Sequence, residues 1–536
     1  MDGSLNAILC VIHSVVDSAD SFPPRAHDSQ VAAKADLLPL LERMVKVDET
    51  VVREAACISA QAVGASMDAG EISASFVPLV KGLLAESWWT GKVSGVCLIS
   101  TAYPLAEEGI RAELKASFMQ ITKDEAPMVR RAVAKNLGCI CAVLEPDSVP
   151  RDLLPSFNKL SNDDQDSVRV LAFGSALEMC TTQPADQCTQ FIFPAVGNFA
   201  KDASWRVRLE VARSLGTLVA NAYPDAGEMP LNVAAALIKD PELDVRRFTL
   251  DKIVSVVKQY KDKVESSGIL AALCELANVD PEVPNSLQMK VLLAKHSIVV
   301  AEELGEAVAR THIVPLIVSL VQEEAVEIRI AALEGFAPLV KVAGGATVLG
   351  ALPLESISSD SSWRVRQAFL EGIPTLAASV PRADFDAELL PLLKLPVGGD
   401  MIASVRQSGG KVLSEFGTNP AFGEEFCKAV VEPLVEEMAE NESCFYRISA
   451  MQCARDLALA GIGCVADACA SAALSLVLDK VANVRINVCW CAGALGEKKL
   501  GADKLRGSLK EAMVSLSNTD SDPDVVHFAT EAASKF

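Results

Sequence analysis

Aromatic and positively charged side chains are both scarce in this sequence. Phe, Trp and Tyr make up 5% of the 536 residues although half of all residues are hydrophobic, so the apolar surface comes mainly from aliphatic and small side chains. That composition excludes a disordered chain. Asp and Glu outnumber Lys and Arg by 70 to 49, and no local basic patch offsets the net charge of −21. We therefore expect no nucleic acid and no membrane as a partner.

Signals for secretion or membrane insertion are also lacking. The apolar run 5–16 resembles a signal-peptide core, but Asp2 stands where a basic segment belongs and Asp17 follows the run. The most membrane-like stretch, 461–478, contains Asp467 and is rich in Ala, which favours a buried helix pair. We expect a cytoplasmic protein, with the nucleus as a further location.

Motifs for catalysis and metal binding are missing as well. The sequence has five widely separated histidines and no Walker loop, G-x-S-x-G, H-E-x-x-H or paired C-x-x-C motif. Its fifteen cysteines form no disulfide framework, which favours reduced thiols. The pairs Cys139/Cys141 and Cys489/Cys491 point to different faces of a helix and are interpreted as small buried side chains. We expect no enzyme, no cofactor and no metal.

A short phrase recurs along the chain: an acidic or small residue, then Val or Ile, then Arg, then a helical apolar pattern. Examples are PMVRRAVA, WRVRLEVA and VEIRIAAL. The spacing of 37 to 44 residues between successive phrases indicates internal repeats of one structural unit. The basic residues of the phrases are Arg53, Lys92, Arg130, Arg169, Arg208, Arg246, Lys290, Arg329, Arg366, Arg406, Arg447 and Arg485, with Val526 in the equivalent place of the last unit.

Each unit has the pattern of two helices. Residues three, four and seven after the Arg are apolar or small, as in Val133, Ala134 and Leu137, which marks one face of a second helix. About fourteen residues before the Arg, a proline often stands inside an apolar stretch and predicts a bent first helix. These prolines are Pro39, Pro78, Pro155, Pro194, Pro315, Pro353, Pro391 and Pro433.

The predicted fold is all-α: a HEAT-repeat α-solenoid, a superhelical stack of antiparallel helix pairs. No alternating strand pattern of useful length competes with it. Residues 31–536 are predicted to form about thirteen units, and residues 1–30 a degenerate or truncated N-terminal cap. The irregular stretches 278–285 and 395–400 are interpreted as variation in loop length.

The recurrent Arg is interpreted as structural, because a residue present in nearly every unit serves something that every unit needs. We expect it to pair with an Asp of an adjacent turn. Acids that come just before it would also favour the start of the second helix. These acids are Asp48, Asp166, Asp244, Glu327 and Asp479.

The tryptophans break the repetition. Trp89, Trp205 and Trp363 each stand three residues before the basic residue, in the predicted turn between the two helices. Trp beside Arg on a solvent-facing turn is the composition of a protein-binding hot spot. The alternative is that each Trp folds back over its neighbouring turn. Trp490 lies inside a predicted helix and is expected in the core.

The phrases SWRVR, PMVRRAVAKNLG and DKVANVRINV are specific enough to indicate a family. With FVPLVKGLLAESWWT they resemble, in the same order and over roughly residues 31–536, the scaffold (A, 65-kDa regulatory) subunit of protein phosphatase 2A. The resemblance implies a non-catalytic scaffold that joins the phosphatase catalytic subunit to a regulatory B-type subunit in a heterotrimer. Family members have fifteen repeats and the Arg53 unit matches the third, so the N-terminal end is expected to be shorter by one to two repeats.

The resemblance implies two binding regions, 345–536 for the catalytic subunit and 31–310 for regulatory subunits. Two turns depart from the family pattern: 402–404 lacks the usual aromatic, and 444–446 replaces a different aromatic and His arrangement. The implied catalytic-subunit contacts are Trp363, Arg364, Phe445, Tyr446, Val481, Ala482 and Asn483. The implied regulatory-subunit contacts are Trp88, Pro127, Met128, Arg130, Arg131, Trp205 and Arg206.

A karyopherin-like HEAT transport receptor is the alternative function, because karyopherins are also acidic solenoids that wrap cargo. Such a receptor would usually be longer and would not be expected to carry the SWRVR and PMVRRA phrases. An enzyme would require a convergent polar site, which the sequence does not provide.

Overall fold

The computed structural model describes residues 37–222 and 226–536, and every regular element in these ranges is helical. The cap predicted at 1–30 lies outside the described residues. The helices occur in successive pairs, and we name each pair, with its turns, by the basic residue of its second helix. The chain is an all-α HEAT-repeat α-solenoid, as predicted. It divides into two compact units, one ending at Ile269 and one beginning at Leu270.

The second helices begin three or four residues before the basic residue and bury the predicted apolar face. Val133, Ala134 and Leu137 have no exposed surface. In the first unit these helices are Thr50–Ala65, Trp89–Ala102, Pro127–Val143, Asp166–Thr182, Trp205–Arg213 with Leu215–Ala222, and Leu243–Gln259. In the second unit they are Ser286–Leu304, Val326–Glu334 with Phe336–Ala343, Trp363–Ala377, Ala403–Thr418, Cys444–Leu459, Ala482–Glu497 and Pro523–Ala533.

The first helices show how the recurrent proline is accommodated. In six of the described first helices a π-helical turn comes directly before the segment that carries the proline, as in Ile72–Phe76 before Pro78. The N–H of Val77 donates to the carbonyl of Ile72, five residues back. Because proline has no N–H and its ring crowds the preceding turn, this wider turn lets the helix continue through it. The other π-turns are Val149–Leu153, Cys188–Ile192, Ala309–Ile313, Phe385–Leu389 and Cys427–Val431. The bend predicted at Pro353 is wrong, because this proline lies between two helices as the N-cap residue of Leu354–Ser358.

The remaining parts of the first helices complete each pair. In the first unit they are residues 37–44, Ala69–Glu71, Val77–Leu84, Glu108–Ile121, Leu154–Ser161, Ala185–Gln187, Phe193–Phe199 and Met229–Leu237. In the second unit they are Glu306–Val308, Val314–Val321, Gly345–Ala351, Leu354–Ser358, Arg382–Asp384, Leu390–Gly399, Gly423–Phe426, Glu432–Glu440, Ala466–Leu476 and Asp503–Thr519. Ile269–Leu276 lies at the division between the units.

One predicted irregularity is a turn and the other is not. Residues 277–285 form an irregular turn that ends at Asn285 in a left-handed conformation with φ 68°. The interpretation of 395–400 as a loop was wrong, because the helix Leu390–Gly399 continues through both glycines. Gly398 is needed there: a Cβ at this position would lie 2.7 Å from the ring of Tyr446.

None of the described helices is both long enough and apolar enough to cross a lipid bilayer. The stretch 461–478 contains the helix Ala466–Leu476, whose Ala470 and Ala473 are buried. This agrees with the expectation of a buried helix.

Candidate protein-binding ridge

Nine of the twelve recurrent basic residues form ion pairs between neighbouring repeats, and the exceptions in the described part of the chain are Arg53, Arg246 and Arg406. We call the series of these ion pairs the ladder and each pair a rung. In each rung the basic side chain lies 2.6 to 2.9 Å from a carboxylate of the next repeat, and both side chains are mostly buried. The first unit has Lys92–Asp124, Arg130–Asp163, Arg169–Asp202 and Arg208–Asp240. The second unit has Lys290–Glu323, Arg329–Asp360, Arg366–Asp400, Arg447–Asp479 and Arg485–Asp520. The predicted pairing of Arg with an adjacent turn is therefore confirmed.

Most ladder acids connect two basic residues, as Asp163 does. The carboxylate of Asp163 accepts two hydrogen bonds from Arg130 of the preceding repeat, at 2.7 and 3.0 Å. The backbone carbonyl of Asp163 accepts a hydrogen bond from Arg169 of its own repeat, and its Oδ1 accepts the N–H of Gln165. The ladder therefore holds the turn of each repeat and also joins the repeats.

The acids that form the ladder are mostly not those expected from the sequence. Of the acids expected just before the basic residue, only Asp479 is a rung. The rung acids stand six residues before the basic residue of their own repeat, as Asp163 does before Arg169. This constant spacing is the sequence signal that could have identified them. Asp166 instead accepts a hydrogen bond from Ser204 and lies 3.5 Å from Arg206, and these contacts lower the pKa of Asp166.

The tryptophans lie at the first residue of their second helices rather than within the turn. Trp88 is 59% exposed and Trp205 38% exposed, whereas Trp363 is half-buried. Arg206 stacks on Trp205 at 5.1 Å and Arg364 on Trp363 at 4.7 Å. Each Trp–Arg pair is therefore an amphipathic surface stiffened by cation–π contact beside the ladder. We call the turns and the first turns of the second helices the turn ridge of each unit.

Trp88 also makes the fold-back contact that was the alternative. Its Nε1 donates to Oδ1 of Asp48 in the preceding repeat at 3.1 Å. The neighbouring Trp89 is half-buried under Arg53, 5.1 Å from the ring centroid. In the tryptophan pair, Trp88 is the more exposed ring, which makes it the better candidate for an interface.

The other residues implied for the catalytic subunit lie on the ridge of the second unit. Phe445 is 45% exposed and Tyr446 is half-buried against Gly398. Asn483 is exposed, with its carbonyl accepting a hydrogen bond from Asn487 at 2.8 Å. Val481 and Ala482 are half-buried. Their role in binding stays a prediction.

The residues implied for regulatory subunits lie on the ridge of the first unit. Pro127, Met128 and Arg131 are exposed, and the last two line a groove of about 480 Å³ beside Trp89. Arg130 differs, because its guanidinium is a ladder rung with contacts to Asp163, Asp164 and two backbone carbonyls. Its side chain is 12% exposed, which assigns it a structural role, and its contact with a partner stays a prediction.

Sequence reasoning missed a second apolar surface, on the last repeats. Trp490 was expected in the core, but it is half-buried and packs edge-to-face on Phe528 at 5.2 Å. Both rings line a groove of about 260 Å³ with Leu459, which is 47% exposed. Trp490 therefore joins neighbouring second helices and is not sealed between them.

The cysteines are free thiols throughout the described ranges. Cys141, Cys489 and Cys491 are buried as expected, and burial raises the pKa of Cys489 to about 12. Cys139 is exposed, so the interpretation of both close pairs as buried was wrong for this residue. No group of three His, Cys, Asp or Glu side chains in the described part of the chain has a metal-binding arrangement.

The fold and the ridge together define a class: a HEAT-repeat solenoid that carries stacked Trp–Arg pairs at the start of its second helices. The comparisons with known proteins agree with this class. No protein-family model matches the chain. The chain is similar to the 65-kDa scaffold (A-type regulatory) subunits of protein phosphatase 2A, as its motifs indicate.

Three relatives illustrate this similarity. The chain is 35% identical over 178 residues to the A-type PP2A regulatory subunit of Schizosaccharomyces pombe, covering 33% of this chain and 30% of that protein. It is 38% identical over 145 residues to a probable PP2A regulatory subunit of Caenorhabditis elegans, covering 27% and 24%. It is 42% identical over 112 residues to the beta isoform of the human 65 kDa A-type regulatory subunit, covering 21% and 19%. The aligned region thus spans less than a third of each relative.

The solved structures extend the likeness in fold to the full chain. Kap121p superposes with a TM-score of 0.61 at 14% identity, covering 100% of this chain and 57% of that chain. Kap121p bound to RanGTP gives 0.60 at 14% identity, with the same coverage. At such low identity the likeness shows a shared helical solenoid and nothing about function.

Proposed function

We propose that this protein is a non-catalytic scaffold of protein phosphatase 2A. In this proposal the turn ridge of the second unit binds the catalytic subunit, while the turn ridge of the first unit binds a regulatory B-type subunit, which gives a heterotrimer. The observation that carries the proposal is the presence of a Trp–Arg pair on each ridge, Trp363–Arg364 and Trp205–Arg206, beside the ladder pairs Arg366–Asp400 and Arg208–Asp240. The similarity to A-type regulatory subunits of protein phosphatase 2A supports a phosphatase complex as the partner.

The ridge carries two kinds of arginine, which differ in whether they are already paired within the chain. In the rungs that have an acid, the carboxylate already neutralises its arginine, so those arginines are not needed for a partner. Arg206 and Arg364 are exposed and keep hydrogen-bond donors for a partner's carboxylates or carbonyls. Trp and Arg are enriched among the side chains that lose their water at the centre of an interface and contribute most of its binding energy. Free thiols fit the expected cytoplasmic and nuclear location, which is part of the proposal.

The test is a binding measurement with purified phosphatase catalytic and B-type subunits. Trp363→Ala should weaken binding of the catalytic subunit by about 2 kcal/mol, roughly 30-fold. Trp205→Ala should spare the catalytic subunit but weaken binding of a regulatory subunit. The two variants serve as each other's controls, because each removes a Trp that stacks with the next Arg at the start of a second helix.

Because Trp363 is half-buried, its contribution to the fold must be separated from its contribution to binding. Trp363→Phe keeps most of the buried ring and serves as the conservative control. A Trp363→Ala variant that melts many degrees lower but binds with unchanged affinity would assign the residue to the fold alone. Capture of a small GTPase in place of the phosphatase would favour the transport-receptor alternative, which at present shares only the fold.

A further inference from the structure

One rung of the ladder in the second unit lacks its acid. Arg406 occupies the same place as Arg366 and Arg447, but the residue six positions before the next basic residue is Asn441 instead of Asp. Arg406 is 5% exposed and forms no ion pair in the described part of the chain; the carboxylate of Asp400 acts on it electrostatically but is paired with Arg366. Its Nε is buried and has no hydrogen-bond partner. In the neighbouring rungs this nitrogen donates to the aspartate at 2.7 Å.

The rest of the rung is preserved. Nη1 of Arg406 donates to the carbonyl of Asp400 at 2.6 Å, as expected for a ladder arginine. Oδ1 of Asn441 accepts the N–H of Ser443 at 2.9 Å, which is the turn contact that Oδ1 of Asp479 makes to Val481. Asn441 therefore differs from a ladder Asp only in having an amide nitrogen where the second carboxylate oxygen would face the arginine. An amide nitrogen at that place donates hydrogen bonds and cannot accept one.

The side chains around Arg406 are exposed and apolar. The guanidinium lies 5.0 Å from the ring centroid of Phe445, which is 45% exposed. Met401 and Ile402, in the turn before the Arg406 helix, are 78% and 37% exposed. Burial lowers the pKa of Arg406, which reflects the cost of keeping this cation away from water. A buried cation with an unused donor and an apolar rim is the complement of an anionic side chain on a protein.

We propose that Arg406, with Phe445 and Asn441, binds an Asp or Glu carboxylate of a partner protein, which completes the rung from outside the chain. The planar guanidinium matches a carboxylate, as the Arg366–Asp400 and Arg447–Asp479 pairs show on either side. The amide of Asn441 adds a second donor for the same carboxylate. The apolar rim favours a protein segment over a free anion, because Phe and Met are enriched in protein interfaces.

Phe445 belongs both to this site and to the ridge proposed for the catalytic subunit, but the first test of the site needs no partner. The probe is N-acetyl-aspartate amide, with N-acetyl-asparagine amide as its uncharged match, added to the full chain at constant ionic strength. The aspartate probe should raise the melting temperature of the second unit relative to the asparagine probe. Inorganic phosphate is the third probe. A larger increase in melting temperature with phosphate than with the aspartate probe would overturn the assignment to a carboxylate.

The decisive variant is Asn441→Asp, which supplies the missing acid from within the chain. It should raise the melting temperature by about 2 °C or more and abolish the response to the aspartate probe. The reverse change at the next rung, Asp479→Asn, should lower the melting temperature and create a second responsive site at Arg447. An unchanged response in Asn441→Asp, or the absence of any response in the original chain, would overturn the proposal.

Binding to the phosphatase catalytic subunit then distinguishes this proposal from the function proposed above. If that subunit supplies the carboxylate, Asn441→Asp should weaken binding by about 10-fold, one decade being 1.4 kcal/mol. Failure of the original chain to bind the subunit would refute the proposed function, while the probe measurements would still decide whether Arg406 accepts a carboxylate.

Discussion

Arg485 and Asp520, thirty-five residues apart in the chain, meet through two parallel hydrogen bonds of 2.6 Å from Nε and 2.8 Å from Nη2. The same arginine donates to the carbonyl of Asp479 at 2.7 Å, and Asp479 is itself paired with Arg447. These contacts of Arg485 and Asp479 thus connect three successive repeats of the second unit. Because each repeat in a solenoid contacts only its neighbours, such links carry stability from one repeat to the next.

The first prediction concerns the rung Arg130–Asp163. Asp163→Ala should lower the free energy of unfolding by about 2 to 3 kcal/mol, since it leaves a mostly buried guanidinium without its bidentate partner. The matched control is Asp164→Ala, which removes the carboxylate of the next residue and its 2.6 Å contact with the same arginine. Asp164 is 74% exposed, so its loss should cost clearly less than the loss of Asp163. Urea unfolding measures both, and equal losses would contradict the role of burial.

The second prediction concerns pH. The hydrogen bond from Arg485 holds the pKa of Asp520 below its usual range, so the unfolded chain binds this proton more readily than the folded one. The stability that the pair contributes is present above the unfolded-state pKa of about 3.9 and is lost as pH falls below it through the folded-state pKa. Asp520→Asn should therefore destabilise the protein at pH 7 and progressively less under acid. Urea unfolding at several pH values measures this, and a difference independent of pH would refute the ionic origin.

The third prediction concerns two glycines of one helix, Gly345–Ala351. Gly345→Ala should destabilise the protein by about 1 to 3 kcal/mol, because the added Cβ would overlap the backbone carbonyl oxygen of Ser379. Gly350→Ala is the control, since nothing lies within 4 Å of the added methyl, and it should stabilise by about 0.5 to 1 kcal/mol through helix propensity. Thermal melts show whether each substitution lowers or raises the stability of the protein. Stabilisation by both substitutions would show that the helix shifts freely.

The fourth prediction concerns thiol reactivity. Cys139 is the exposed thiol of the described ranges, whereas Cys453 and Cys491 are buried; burial raises the pKa of all three thiols, so exposure is what distinguishes Cys139. Maleimide labelling of the native protein, mapped by peptide mass, should modify Cys139 well before these two residues, because reaction requires access and the thiolate. Cys139→Ser should remove that modification and leave the melting temperature within about 1 °C. Early labelling of Cys491 would instead indicate local opening of its helix.

The sequence by itself determined the repeat. Helix periodicity and spacing are local properties, so the apolar face of the second helices, as in Val133 and Leu137, could be predicted without knowing any partner. The same spacing placed Trp205 and Trp363 three residues before the basic residue, near the start of the second helix, although the sequence pattern predicted them in the turn. The prolines indicated bent first helices, but not the π-turns such as Ile72–Phe76 that accommodate them, because that turn type depends on how each helix packs.

Only the tertiary structure decided which charges meet. Asp163 and Asp166 are three residues apart and equally plausible partners in the sequence, yet one is a buried rung and the other contacts Ser204 and Arg206. The choice depends on where stacking places the turn of one repeat relative to the arginine of the repeat before it. The same packing buries Arg406 beside Phe445, so that a single Asp-to-Asn difference at position 441 leaves a cation without its acid. Charge pairing between repeats is a property of packed helices, and the periodicity of a single helix does not encode it.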